Sequence, residues 1–236
     1  KKILKDGDLV IAAGGDATAA VTATLLCGIM LWGAVVTPRQ IAVEHVDINC
    51  PRLPDEFDGL RITHWSDAHL GTYLNDTAIV SRQINAINAT DPDVICFTGD
   101  LVSRRTDEAL PFRQTLARLH ARQGIYAVLG NHDYDDYTDW ADTLARQADR
   151  QALCRLERQL GWTLLRNEYA ILLTPHGDSI IVAGCENFDP LPLHHDYSDI
   201  NLTLADVDTA AFTILLQHNP RQWQAQIIGQ KHLDLT

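Results

Sequence analysis

Between Arg61 and Asp133 three apolar runs each end in a short polar motif, and this repeat leaves few folds open to the chain. The runs are Leu60–Trp65, Val94–Phe97 and Ile125–Leu129; the motifs after them are Ser66-Asp67-Ala68-His69, Thr98-Gly99-Asp100 and Gly130-Asn131-His132-Asp133. Short β-rich runs of this kind read as buried strands of a mostly parallel sheet. Three successive strand ends then meet along one edge of the sheet, where open α/β sheets place their ligand sites. Carboxylate, imidazole and carboxamide groups gathered there are the oxygen and nitrogen donors that one or two divalent metals need.

The segments between the motifs read as helices. Asp76 is placed to cap a helix running to about Ala89, with Ile79, Val80, Ile84 and Ile87 on one face. Asp91-Pro92-Asp93 turns the chain into the second strand, and Thr106 to Ala121 reads as a second helix. A third spans roughly Asp139 to Gln159. Strand, motif and helix in alternation make a βαβαβ unit. Beyond Gly161 come shorter strands at 163–165, 170–173, 179–183 and 212–216, which predict a second sheet packed on the first. The expectation is an α/β fold of two packed mixed sheets flanked by helices. Ahead of it, Gln40 to Ile48 alternates apolar and polar residues, as an opening strand would, and Pro51 and Pro54 break the chain before the turn at Phe57-Asp58-Gly59.

From Ala17 to Val36 there is no charged residue for a length that suits a bilayer-spanning helix, with Trp32 as an interfacial anchor. A buried helix and a signal-peptide core are the other readings of such a stretch. Lys1, Lys2 and Lys5 before it, against Arg39 after it, favour an inside N-terminal flank. The chain starts at Lys1 without Met, and it reads as a fragment cut at both ends. The divisions are an N-terminal loop (1–16), a transmembrane helix (17–37), a linker with the opening strand (38–58) and the motif-bearing domain (59–236). The net charge of −12, from 31 acidic and 19 basic residues, argues against binding a nucleic-acid backbone. Cys27, Cys50, Cys96, Cys154 and Cys185 form no C-x-x-C pair, and Cys96 and Cys185 fall in strands, where buried free thiols are expected.

Asp67 and His69, two apart, face the same way on a regular strand and can share one ion. Asp100 follows a glycine at the next strand end, and its two carboxylate oxygens can bridge two ions. Asn131 offers a neutral carbonyl oxygen, and His132 beside it an imidazole for proton transfer. A fourth strand end delivers Gln217-His218-Asn219-Pro220. Any one of these motifs alone reads as a turn or a helix cap; four together favour a metal site. His194-His195-Asp196 follows Pro190 and Pro192 and reads as a solvated loop. His64 reads as a packed strand residue, and Trp140, Trp162 and Trp223 as core or staple residues.

The order D-x-H, G-D, G-N-H-D and strand-end His resembles the calcineurin-like metallophosphoesterases, from about Gly59 onward. Leu53–Ile62, Gly184-Cys185-Glu186-Asn187 and Leu215–Pro220 resemble a narrower bacterial, membrane-anchored YkuE-type subgroup. The resemblance implies a four-layer sandwich and a metallophosphoesterase domain at 59–236. It implies that Asp67 and His69 bind a first metal ion, that Asp100 bridges two, and that Asn131 and His218 bind the second. His132 would be the acid assisting the leaving group. The ions would be Mn, Fe or Zn. The family's closing G-H-x-H motif would lie beyond Thr236. The implied reaction is hydrolysis of a phosphomonoester, phosphodiester or pyrophosphate by a metal-bridging hydroxide. The implied substrate is a small phosphorylated molecule or a lipid such as UDP-2,3-diacylglucosamine, met at the inner membrane. The rival readings are a membrane-tethered metal- or phosphate-binding module without turnover and a nuclease-type phosphodiesterase.

Overall fold

The computed structural model describes residues 6–37, 40–134, 136–190, 195–229 and 232–236, with side chains from Ala17 onward. The chain divides into two units, residues 1–45 and 46–236. The first unit is one long helix, α1 (Asp6–Val35). Its stretch Ala17–Val35 has a mean hydropathy of 1.8, and none of its residues is buried. Leu25, Leu26, Ile29, Met30, Leu31 and Trp32 are all exposed. The hydroxyl of Thr24 donates to the Ala20 carbonyl at 2.9 Å, so this polar side chain is satisfied within the helix. Residues 6–16, expected as a loop, are helical. The following stretch, 40–48, is not the expected strand: Ile41, Val43, Val46 and Ile48 are exposed and the segment pairs with nothing in a ladder. Alternation supplies a face, but a strand also needs a partner edge.

The second unit holds two sheets. Strands β1 (Ile62–Trp65), β2 (Val94–Phe97), β3 (Gly124–Ala127) and β4 (Thr163–Leu164) form the first, in that order. All its pairings are parallel, so this sheet is not mixed. Strands β5 (Glu168–Leu173), β6 (Ser179–Gly184) and β7 (Thr213–Leu216) form the second, with β5 antiparallel and β7 parallel to β6. The run at 163–165, expected in the second sheet, joins the first as β4, pairing Tyr126 with Thr163 and Ala127 with Leu164.

Side-chain alternation along the strands builds the layers. In β2, Ile95 and Phe97 face a core shared with α2 (Thr77–Ala89), α3 (Arg113–Leu116) and α4 (Thr143–Gln159), whose Ile84, Leu116 and Leu153 are fully buried. Val94 and Cys96 face the opposite way, into a core between the sheets with Tyr126, Val128, Leu165, Ile180, Val182 and Ile214. In β6 the odd residues Ile181 and Ala183 face a third cluster with Leu215, Ile227 and Ile200 of α5 (Ile200–Thr203). Each fully buried large apolar side chain contributes roughly 1.5–3 kcal/mol, so the three cores carry most of the stability. The order is helices, sheet, sheet, helical cover: four layers.

The caps follow the sequence. Asp76 accepts from the Ala78 amide at 3.0 Å and Asp142 from the Ala145 amide at 2.7 Å. The region 106–121 is not one helix. It is a 3₁₀ turn at Thr106–Phe112 followed by the four-residue α3. Pro111 lacks an amide hydrogen, which removes one rung of a regular helix there. All five cysteines are free thiols. Cys96, Cys154 and Cys185 are buried, and burial pushes the Cys96 thiol up to about 12.

Candidate metal centre

The ends of β1, β2, β3 and β7 lie together, and the loops after them carry the polar motifs. Period-two alternation does not align Asp67 with His69, because β1 ends at Trp65. Both residues lie beyond it in left-handed backbone, with φ of 55° and 42°, as does Asp100 with φ of 59°. Such conformations cost a non-glycine residue about 1–2 kcal/mol each. They are held by a backbone zip between the loops: the Asp67 amide donates to the Gly99 carbonyl at 2.9 Å, His69 to Asp100 at 3.0 Å and Leu70 to Leu101 at 3.0 Å.

Two glycines make the close approach possible. A Cβ on Gly130 would stand 2.2 Å from Asp100 Oδ1, and one on Gly99 would stand 2.2 Å from the Gly130 nitrogen. Underneath, the buried carboxylate of Asp133 accepts from the amides of Asp100 (2.7 Å), Gly130 (2.9 Å) and Val102 (3.2 Å). Burial, and then the charge of Asp100, push Asp133 up to about 8 against the pull of these three amides. Asp133 thus joins the second and third motif loops. The sequence reading gave it no role, although its place in G-N-H-D was the available signal.

Above this base the donors converge. Asp100 Oδ2 lies 3.4 Å from His69 Nε2 and 3.5 Å from His218 Nε2, and His69 Nε2 lies 3.7 Å from Asp67 Oδ1. Among the described residues two sets of donor atoms each lie within 4.8 Å of one another: His69, Asp100 and His132, and Asp67, Asp100 and His218. Asp100 belongs to both. Its side chain is only 3% exposed, whereas that of Asp67 is 57% exposed. Burial raises the Asp100 carboxyl, and the imidazoles of His218, His132 and His69 with the His132 amide oppose that rise.

The imidazoles are oriented by main-chain carbonyls that the sequence did not reveal. His218 Nδ1 lies 2.8 Å from the Thr98 carbonyl, and His132 Nδ1 lies 2.7 Å from that of Ser103. A carbonyl only accepts, so each Nδ1 carries a proton and each ring turns its Nε2 away from that carbonyl. Asn131 Nδ2 donates to the Tyr137 hydroxyl at 2.6 Å, which leaves its Oδ1 facing His218 Nε2 at 2.9 Å. When His218 Nε2 carries no proton, as a metal-ligating imidazole requires, it and Asn131 Oδ1 are two acceptors facing each other beside a buried carboxylate. A divalent cation relieves that opposition, so the residues present fit a metal ion in both ligand type and arrangement.

The remaining polar candidates lie elsewhere. His64, expected as a packed strand residue, is exposed on β1 with Nε2 2.8 Å from the Thr98 hydroxyl. His194 falls outside the described residues, while Asp196 is exposed and accepts from the Ser198 amide and hydroxyl at 3.0 and 2.6 Å. Trp162 is buried against Phe97 and Trp65. Glu186, in the Gly184–Asn187 segment, accepts from the Tyr134 hydroxyl (3.1 Å) and Arg166 Nε (2.8 Å), which braces the G-N-H-D loop against the second sheet.

The strand ends of this two-sheet α/β sandwich bring two carboxylates, three imidazoles and a carboxamide around one shared oxygen, a donor set suited to divalent metal ions. Residues 60–235 match the calcineurin-like phosphoesterase family, and the chain belongs to that family. It is 28% identical over 213 residues to the "Transmembrane protein with metallophosphoesterase domain" of Danio rerio, with 88% of this chain and 46% of the relative covered. It is 30% identical over 251 residues to the UDP-2,3-diacylglucosamine pyrophosphatase LpxG of Chlamydia trachomatis serovar D, covering 86% and 70%. A third relative is the metallophosphoesterase YkuE of Bacillus subtilis (strain 168), 30% identical over 190 residues, covering 78% and 59%. The chain thus spans between about half and about two thirds of the length of these relatives.

Proposed function

We propose that this chain carries the catalytic centre of a metal-dependent phosphoesterase. Asp67, His69, Asp100, Asn131 and His218 hold two divalent ions (Mn, Fe or Zn), and His132 donates a proton to the leaving group. The observation that carries this reading is Asp100 Oδ2, shared at 3.4 and 3.5 Å between two imidazole nitrogens on different strand ends. Bound ions supply Lewis-acid polarisation of the phosphoryl group and a water acidic enough to attack at neutral pH. Asp100 keeps the two halves of the donor set in register. Asn131 supplies a neutral oxygen, which limits the negative charge that an anionic substrate meets. His132, fixed through Nδ1 to the Ser103 carbonyl, exchanges its proton at Nε2, the atom free to reach a departing oxygen.

The substrate class follows from the setting. An exposed apolar helix of membrane-spanning length precedes the domain, and one relative is named for cleaving a UDP-diacylglucosamine pyrophosphate. The reading is a lipid-linked phosphoric ester or pyrophosphate, cleaved at a membrane surface with α1 as the anchor. In the full-length protein, hydrolysis of bis(p-nitrophenyl) phosphate is expected to vanish on exhaustive chelation and return with Mn²⁺. Full turnover in protein shown to hold no metal would overturn the reading.

A further inference from the structure

Tyr137 lies outside the four strand-end motifs, yet it touches two of the site's side chains at once. Its ring stacks on the His132 imidazole with centroids 3.9 Å apart and planes 11° from parallel. Its hydroxyl accepts the Asn131 amide hydrogen at 2.6 Å. The far edge of His132 is held by the Ser103 carbonyl, and its other neighbour, His69, meets it edge-on at 4.8 Å. The loop that carries Tyr137 is clipped to α4, where Arg146 pairs with Asp136 and donates to the Tyr134 carbonyl at 3.2 and 3.3 Å. Tyr137 is 41% exposed, so its place over His132 is not a consequence of core packing.

The amide of Asn131 has two orientations related by a half-turn about its last bond. In one, Oδ1 faces His218; in the other, Nδ2 does, and an N–H group cannot ligate a cation. The first is the orientation present, with the Tyr137 hydroxyl taking up the Nδ2 hydrogen on the side away from His218. From this we infer that Tyr137 is a positioning residue with two separable actions. Its hydroxyl anchors the Asn131 carboxamide by taking up the Nδ2 hydrogen when Oδ1 faces an ion, and its ring holds the His132 plane. The inference rests on the proposed metal centre and adds to it a residue that sets how tightly the Asn131 side of that centre holds an ion.

The test compares Tyr137→Phe and Tyr137→Leu in the full-length protein, with Mn²⁺ titrated into metal-free samples by calorimetry. Thermal melts of the metal-free samples check that each variant folds. Phe keeps the ring and loses the hydroxyl, and it is expected to weaken Mn²⁺ binding about five-fold, the worth of one ordinary hydrogen bond. At saturating Mn²⁺ its kcat should stay within about two-fold of the parent's. Leu is expected to show the same loss of affinity and, in addition, a kcat about ten-fold lower at saturating Mn²⁺, since an imidazole held at Nδ1 but no longer stacked loses part of the 10²–10⁴-fold that a positioned acid supplies. Unchanged Mn²⁺ affinity in Tyr137→Phe, with the parent binding normally, overturns the inference alone. A parent that binds no Mn²⁺ overturns both this inference and the metal centre beneath it.

Discussion

Asp100 and His132 are neighbours in space with different expected failures. The carboxylate is almost wholly buried and lies against two imidazole nitrogens, so Asp100→Asn removes the only charge shared by both donor sets. Metal affinity is expected to fall about 100-fold or more, beyond the 10–100-fold typical of residues that merely support a ligand. His132→Ala is expected to keep most of the metal and to lose about 10²–10⁴-fold in kcat, most severely with high-pKa leaving groups. Metal content after dialysis, set beside kcat for two aryl esters of different leaving-group pKa, separates the two. The reverse order of metal loss would show the roles to be misassigned. Much of this cluster was legible from residue types, because acids, imidazoles and a carboxamide at the ends of three successive strands and of a later fourth have few other uses. What holds them was not. The Thr98 and Ser103 carbonyls that orient His218 and His132 are main-chain atoms, common to every residue and therefore silent in a sequence.

Among the helices, α4 carries a group with no evident structural reward. Glu157 is fully buried, and among the described residues neither carboxylate oxygen has a hydrogen-bond partner. Burial, and then the charge of Asp133, hold its carboxyl well above the ordinary 4.5. The folded state therefore keeps a proton that the unfolded chain releases, and stability falls as pH rises from about 4.5 through the folded-state value. Asp133, raised to about 8, acts with the same sign. Glu157→Gln should leave stability near pH 4 unchanged and make its decline toward pH 8 shallower, as read from urea midpoints across that range. Parallel curves would show that Glu157 finds a charge partner. The helix itself was legible from its Asp142 cap and apolar spacing, but the break of the preceding region into a 3₁₀ turn and the short α3 was not. There the apolar period persists through Pro111, and periodicity does not register a missing amide. Segment 40–48 failed in the opposite way: its alternation fits a strand, and strand formation waits on a partner that a local pattern does not specify.

As a whole molecule the chain couples an apolar helix to a domain with its own cores: among the described residues, none before Cys50 enters the three core clusters. Removing residues 1–38 from the full-length protein is therefore expected to yield a soluble, folded product that retains Mn²⁺-dependent hydrolysis. A product that no longer binds Mn²⁺ would place that segment within the folded core. The expected packing of one sheet on another was legible from the change of strand pattern after Gly161, while the transfer of residues 163–164 to the first sheet depends on the return path of α4. One bond crosses between those sheets at the site itself. His218 follows β7 in the second sheet, and its Nδ1 proton rests on the Thr98 carbonyl at the end of β2 in the first, 120 residues earlier. During refolding, then, neither half of the chain owns a finished binding site. For the proposed centre, high-affinity capture of an ion would then be a stopwatch for the moment the halves meet, trailing the appearance of helix and strand. An ion so held would act as a clasp on the seam, and its concentration would set how rarely the seam reopens.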